Sequence, residues 1–555
     1  MQLVCVSGHT LLALLFLVAA YIDLCDAASV FDVYRAIQYD LRGIPMGSRR
    51  ASLNHHASSG LSVPGSDITR SVVILPIAKV NITLLNEYLQ GKRILGGLLL
   101  LLPEKGHGDD NKDEDADENL QVERDLENWI IKNNVPYPVY FVYETPSLKA
   151  LLDEVIANDL AGKPATATTG GFKLVVSGPE PRKIPPPSLV NIQAWLPGLR
   201  SEGDSSVVQT IAIVAWYDTF GAAPGIPAGT DSNGSGAVAL LEIARLFSRL
   251  YANPKTRGRY NLLFGLTAGG PYDYEGTSKW LKSFDQRLRE SIDYAICLNS
   301  LGSISGEKLW LHVSKPPENA YIRQIHEGLS EVATELGLTV EVKHKKINIS
   351  SSRVTWEHEQ FSRQRITAAT LSELETPSEL LENAGSIVDT RYLFYRNFVA
   401  NITQVILSTK LVAESLARYI YDQQDKHITV FADGSNLAVS RPYVQGWLNL
   451  LSRTPRMAPF LSRNSPIIAA FHKELADRIE DVKIQHETMD SSFTFYDSTK
   501  FVLSIFQVAS VTFDLVVMLA FGSYLGLLFV IALVTTKGLD DLFRKPPSSR
   551  KIKGT

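Results

Sequence analysis

The side chains best suited to chemistry in this chain are a scattered set of carboxylates and one imidazole: Asp218, Asp231, Asp273, Glu275, Glu357 and His358. Carboxylate oxygens and an imidazole nitrogen are donors that a divalent ion accepts, so the set is a candidate metal site. A group so dominated by carboxylates suits the ligand preferences of zinc poorly. Signatures of other reactions are missing: the chain has no His-Glu-x-x-His, no Gly-x-Ser-x-Gly and no phosphate-binding P-loop.

The elements that must position these residues read as strands alternating with helices. Val207 to Trp216 is a continuous apolar run that ends just before Asp218. Asp231-Ser232-Asn233-Gly234-Ser235-Gly236 is a helix-capping turn, and Ala237 to Leu250 follows as a helix with Val238, Leu241, Leu246 and Leu250 on its apolar side. Further strands are expected at Tyr260 to Thr267, Tyr294 to Leu298 and Leu309 to Val313. That alternation predicts an α/β fold with a mostly parallel sheet flanked by helices. Upstream, Val72 to Leu75, Leu98 to Leu102, Val139 to Tyr143 and Phe172 to Val176 have the length of buried strands and predict a smaller N-terminal lobe. The acidic insert Asp109 to Glu118 reads as a solvated loop, and Lys183 to Pro187 as a stiff linker. Residues 29 to 60 read as an amphipathic turn and a polar stretch. Beyond 390 the chain reads as helical, with one clear amphipathic helix starting at Ser465-Pro466.

The chain has 555 residues, 45% hydrophobic and 21% charged, with a net charge of −4. That composition excludes a disordered or polytopic membrane protein, and no global field points to nucleic acid. Three cysteines exclude a disulfide-stapled scaffold. An apolar run at Leu11 to Tyr21, followed by Cys25-Asp26-Ala27-Ala28, predicts a signal peptide over 1–27, with an uncleaved anchor as the alternative. Its removal leaves Cys297 as the single cysteine.

Leu515 to Val534 is an uncharged run of 20 residues, about 30 Å as a helix and long enough to span a bilayer. The tail from Lys537 carries a net charge of +4, so the positive-inside rule predicts a single-pass type I protein with a cytosolic tail. Sequons at Asn81, Asn348 and Asn401 fit a glycosylated body, whereas the one at Asn233 lies in a turn expected to be buried. Gly522 and Gly526 form a G-x-x-x-G pattern that lets two membrane helices approach closely, although glycine is common in such helices anyway. The expected divisions are 1–27 signal peptide, 28–200 N-terminal lobe, 201–420 main α/β domain, 421–511 helical membrane-proximal region, 512–536 membrane helix and 537–555 basic tail.

The stretch Ile211 to Leu250, with its Tyr217-Asp218 strand end and Asp-Ser-Asn-Gly-Ser-Gly turn, resembles the co-catalytic zinc aminopeptidases of the M28 type, a fold shared by nicastrin-like proteins. The opening Phe31 to Leu41, Leu246 to Tyr251, His312-Val313-Ser314-Lys315-Pro316-Pro317 and Trp356-Glu357-His358-Glu359 narrow the likeness to the nicalin family. The resemblance implies which positions held the metal chemistry. Trp216 stands at the first His ligand, Ser232 at the bridging Asp, Gly269-Gly270 at the Glu-Glu pair of base and ligand, and Asn299 at the next Asp. Asp218 keeps the supporting Asp. Indole N–H has no lone pair for a metal, and the general base is gone, so the resemblance implies no enzyme and no cofactor.

It further implies a non-catalytic scaffold subunit in the endoplasmic reticulum membrane. Its partners there would be the Nodal modulator protein and a small multi-spanning membrane protein. That complex would sit beside the Sec61 translocon and its ribosome-associated complex, aid biogenesis of multi-pass membrane proteins, and bear on Nodal signalling. Two alternatives stand beside it: a lumenal substrate receptor of the nicastrin type, and a residual metallo-aminopeptidase.

Overall fold

The computed structural model describes residues 29–537, except 62–67, 91–94, 104–114, 201–207, 227–228, 303–307, 382–386, 390–397 and 424–428, and the positions 167, 318, 378, 388, 491, 498, 499 and 509. The expected signal peptide, the tail beyond 537 and the start of the acidic insert lie outside the described residues.

The N-terminal lobe is a closed barrel of seven strands. Around it run Ser29–Arg35, Lys500–Val508, Gly171–Val176, Leu53–Ser58, Ser71–Pro76, Gly97–Leu102 and Val139–Tyr143, the last pairing back to the first. Its apolar runs are continuous because both strand faces are buried. Leu99 and Leu101 point into the barrel core, while Leu98, Leu100 and Leu102 join the main core outside. The helix Pro146–Leu160 packs Leu148, Leu151, Leu152 and Val155 into the barrel core, and its N-cap Thr145 accepts a bond from Leu148 N. The acidic insert is not all loop: the helix Asp115–Lys132 begins within it, where carboxylates favour a helix N-terminus.

The large sheet has eight strands, ordered Thr339–His344, Lys308–Val313, Ala368–Ser372, Ile292–Asn299, Thr210–Trp216, Asn261–Thr267, Ser188–Leu196 and Asp481–Thr488. The expected parallel arrangement holds at its centre and for the edge pair Thr339–His344 and Lys308–Val313. Ala368–Ser372, Ile292–Asn299, Thr210–Trp216 and Asn261–Thr267 are mutually parallel. Lys308–Val313 runs antiparallel to its central neighbour, as do Ser188–Leu196 and then Asp481–Thr488 on the other side. The sheet is therefore mixed. Eight residues, 300–307, separate Ile292–Asn299 from Lys308–Val313, too few for the crossover of a dozen or more that a parallel return needs.

Helix Gly236–Ala252 covers one face of this sheet, with Phe398–Ile420, Arg441–Leu451 and Pro466–Ala476 around it. Trp280, Leu281 and Phe361 cover the other face and bury Cys297. The stretch 421–511 is not purely helical. After the helix Pro466–Ala476 it supplies Asp481–Thr488 to the large sheet, Phe493–Phe495 to a small four-stranded sheet, and Lys500–Val508 to the barrel. Ser188–Leu196 likewise belongs to the large sheet rather than to the N-terminal lobe. Residues 29–60, read as a turn and polar stretch, are four strands: Gln38–Leu41 and Ile44–Ser48 pair with each other, whereas Ser29–Arg35 pairs with Lys500–Val508 at the far end of the chain. A final helix, Val511–Lys537, follows the barrel strand; its segment Asp514–Thr536 is long and apolar enough to cross a membrane.

Candidate functional site

In open α/β sheets ligands bind at the carboxyl ends of parallel strands, and the implied ligand positions gather there. Trp216 ends the central strand and is 3% exposed. Its indole lies over Gly270, where an added Cβ would come within 2.2 Å of Cδ2. Tyr274 meets the same ring edge-on, with centroids 6.3 Å apart. A bulky aromatic side chain thus fills the space in front of the strand end.

Asp218 is fully buried and has become a backbone clasp. Its Oδ2 accepts from Gly269 N at 3.0 Å and its Oδ1 from Gly270 N at 3.1 Å. Gly269 has φ +79°, a left-handed conformation that glycine adopts without strain. Burial raises the Asp218 pKa to about 7, against the pull of these two bonds and of Arg456.

The capping turn is pinned by two residues that sequence reading missed. Asn233, fully buried after a cis peptide bond, donates Nδ2 to the carbonyls of Trp216 (3.0 Å) and Leu298 (2.8 Å) and accepts from Ser300 N at 3.0 Å. It joins the ends of two parallel strands. Asp389 accepts from the backbone N–H groups of Asp231 and Ser232, each at 3.0 Å. Burial, and then Asp231, raise the Asp389 pKa to about 6.

A cation completes this arrangement. Arg456 is 1% exposed and donates Nε to Tyr217 O (2.7 Å), Nη1 to Leu451 O (3.1 Å) and Nη2 to Gly229 O. Burial lowers its pKa to about 10, while Asp389 and Asp218 pull it back up. The guanidinium therefore stays charged between two buried acids. No local signal marks Arg456 in the sequence.

The six candidate metal-binding residues do not converge. Asp231 Oδ1 accepts from Gly302 N at 2.8 Å. Asp273 accepts from Val354 N at 3.1 Å and from the Arg353 guanidinium. Glu275 pairs with Lys279 at 2.8 Å and accepts from Asp490 N at 2.6 Å. Glu357 accepts from the hydroxyls of Thr277 (2.7 Å) and Thr267 (3.0 Å), and burial raises its pKa to about 7. His358 Nδ1 lies 2.9 Å from Thr370 Oγ1, and burial lowers its pKa to about 3. Asn299 ends its strand opposite Ser372 and is 5% exposed. Among the described residues, no three His, Cys, Asp or Glu side chains are grouped to hold a metal ion. The arrangement clasps loops to strand ends.

Residues 209–372, which contain this region, match the family described as Nicastrin large lobe. The BOS complex subunit ncln of Danio rerio is 32% identical, covering 93% of this chain and 92% of that protein. The BOS complex subunit NCLN of Homo sapiens is 31% identical, covering 93% and 91%. The chain belongs to the nicalin family. A further relative, Nicalin of Caenorhabditis elegans, is 29% identical over 71% of this chain and 69% of its own. The crystal structure of the gamma-secretase component nicastrin shares the fold: TM-score 0.57 at 11% identity, covering 86% of this chain and all of that one. This nicalin-family member is thus nicastrin-like in architecture, with mixed sheets, flanking helices and one candidate membrane helix.

Proposed function

We propose that this nicalin-family chain is a non-catalytic scaffold subunit of an endoplasmic reticulum membrane complex, anchored by Asp514–Thr536 with its body in the lumen and its basic tail in the cytosol. The observation that carries the proposal is the relation to BOS complex subunits along nearly the whole chain. The strand-end geometry supports the absence of catalysis. Trp216 fills the space a first ligand needs, Gly269 and Gly270 offer no side chain where base and ligand are expected, and Asp218 is spent on backbone N–H groups.

On this reading the partners are the Nodal modulator protein and a small multi-spanning membrane protein. The assembly works beside the Sec61 translocon in multi-pass membrane protein biogenesis and bears on Nodal signalling. Purification of the tagged full-length chain from a mild detergent extract tests this: both partners co-purify in stable proportion. Loss of either partner, or stoichiometric zinc with chelator-sensitive aminopeptidase activity, rejects it.

A further inference from the structure

The pole of the large sheet opposite Trp216 holds a cavity of about 220 Å³. It opens where Lys308–Val313 ends and Ala368–Ser372 begins, beside the first two turns of the helix Ala320–Glu335. Its lining includes Tyr294, Ser314, Lys315, Asn319, His326 and Arg365. The charged side chains among the described lining residues are both cations, Lys315 and Arg365, and both are exposed. No carboxylate lines it among those residues.

Two further lining residues are polar and almost fully buried. Ser314 is 5% exposed and its Oγ has no hydrogen-bond partner; His326 is 6% exposed and its Nδ1 has none. Burial lowers the His326 pKa to about 4, so the ring is neutral near pH 7. Its Nε2 lies 3.2 Å from the Tyr294 hydroxyl. With that hydroxyl donating, the ring proton resides on Nδ1. Ser314 O–H and His326 Nδ1–H are then buried donors that want an acceptor.

The backbone adds to this field. Asn319 starts the 16-residue helix Ala320–Glu335 without capping it through its side chain, leaving the positive end of the helix dipole at the cavity. Lys345 N donates to Val313 O at 3.0 Å, bringing the exposed Lys345 and Lys346 to the same end of the sheet.

We propose that this cavity binds a compact oxyanion, the carboxylate or phosphate group of its ligand, held by Lys315, Arg365, Ser314 and His326. The volume is below the roughly 300–1,000 Å³ of sites for drug-sized molecules, so the occupant is a small anion or the tip of a longer chain. The site is separate from the vestigial strand ends and stands independently of the scaffold reading. It also gives the His312-Val313-Ser314-Lys315 stretch, one of the segments carrying the family resemblance, a ligand-binding role.

Calorimetric titration of the full-length chain in detergent at pH 7 tests the proposal with three probes: inorganic phosphate, a blocked tetraglutamate peptide and a blocked tetraglutamine peptide. Saturable binding of phosphate or tetraglutamate is expected, and none of tetraglutamine. The tighter of the two anions names the source, a free phosphate or an acidic protein segment. Because Lys315 and Arg365 are exposed, the double variant Lys315→Glu/Arg365→Glu keeps the wild-type melting temperature and weakens binding by roughly tenfold or more, the loss of two charge-assisted contacts. Ser314→Ala weakens it by a smaller factor. Silence with both anions, equal binding of tetraglutamine, or unchanged affinity in the charge-reversed variant overturns the proposal.

Discussion

Trp216 and Gly270 share one volume: the indole lies where a side chain on residue 270 would have to be, 2.2 Å from the position of its Cβ. Neither position changes alone without strain. Gly270→Ala forces the ring or the strand end to move and costs about 1–3 kcal/mol, while Trp216→Ala empties the space and costs about 3–5 kcal/mol. The double variant loses less than the sum, because the clash goes with the ring. A double-mutant cycle by denaturant unfolding reads this as a coupling above roughly 1 kcal/mol; additivity within about 0.5 kcal/mol contradicts it.

Glu357 gives a pH signature. Burial lifts its pKa from the ordinary 4.5 to about 7, so between those values the folded chain holds a proton that the unfolded chain has released. Raising the pH through that window therefore removes stability. Glu357→Gln, still able to accept one hydroxyl bond, melts above the wild type at pH 7.5, and the gap narrows as the pH falls to 5.5. A gap that widens on acidification gives the opposite sign and defeats the assignment.

Arg456 is the keystone of the capping turn. Arg456→Met leaves the carbonyls of Tyr217 and Gly229 without their donor, Leu451 O with only the N–H of Thr454, and Asp218 and Asp389 without their cation, for a loss of about 3–5 kcal/mol. Arg456→Lys restores charge but not the planar fork and recovers only part of it. Melting temperature and yield of folded protein check both.

Glycan mapping tests burial and, with it, the proposed lumenal body. Asn81 and Asn348 are exposed, whereas Asn233 is fully buried and hydrogen-bonded on both sides of its amide. Mass spectrometry of the chain made in a secretory pathway finds glycans on Asn81 and Asn348 and none on Asn233. A modified Asn233 is incompatible with the turn described above.

Within the candidate membrane helix, Gly522 and Gly526 present open space where side chains would otherwise stand. If another membrane helix packs there, as the scaffold reading expects, Gly522→Ile and Gly526→Ile reduce co-purification of membrane partners by several-fold and leave the melting temperature of the body unchanged. Unaltered co-purification shows that the glycines are not an interface.

Legibility followed locality. Gly97–Leu102 and Thr210–Trp216 declare themselves because both faces of each strand are buried, and an unbroken apolar run has few other uses. Ser29–Arg35 does not, since its pairing partner Lys500–Val508 lies at the other end of the chain. Asp481–Thr488 is an edge strand with alternating polar exposure, and its Val482 reads equally well as a continuation of the preceding helix. At the strand ends, the type of each residue is plain from sequence. That Asp218 clasps Gly269 and Gly270, or that Arg456 arrives 239 positions after Tyr217 to bind its carbonyl, is a tertiary fact with no local trace.

The pairing of Ser29 with Ile505 also sets a clock. A ribosome adds about 5–20 residues each second, so the first barrel strand waits on the order of a minute before its last neighbour exists. Throughout that interval the barrel has an open seam, with unpaired backbone and the inward faces of Phe31 and Val33 uncovered. The seam closes only as Lys500–Val508 emerges, two residues ahead of the helix Val511–Lys537. Completion of the first-made domain thus coincides with arrival of the candidate anchor, and a nascent chain of this design needs shelter for most of its synthesis.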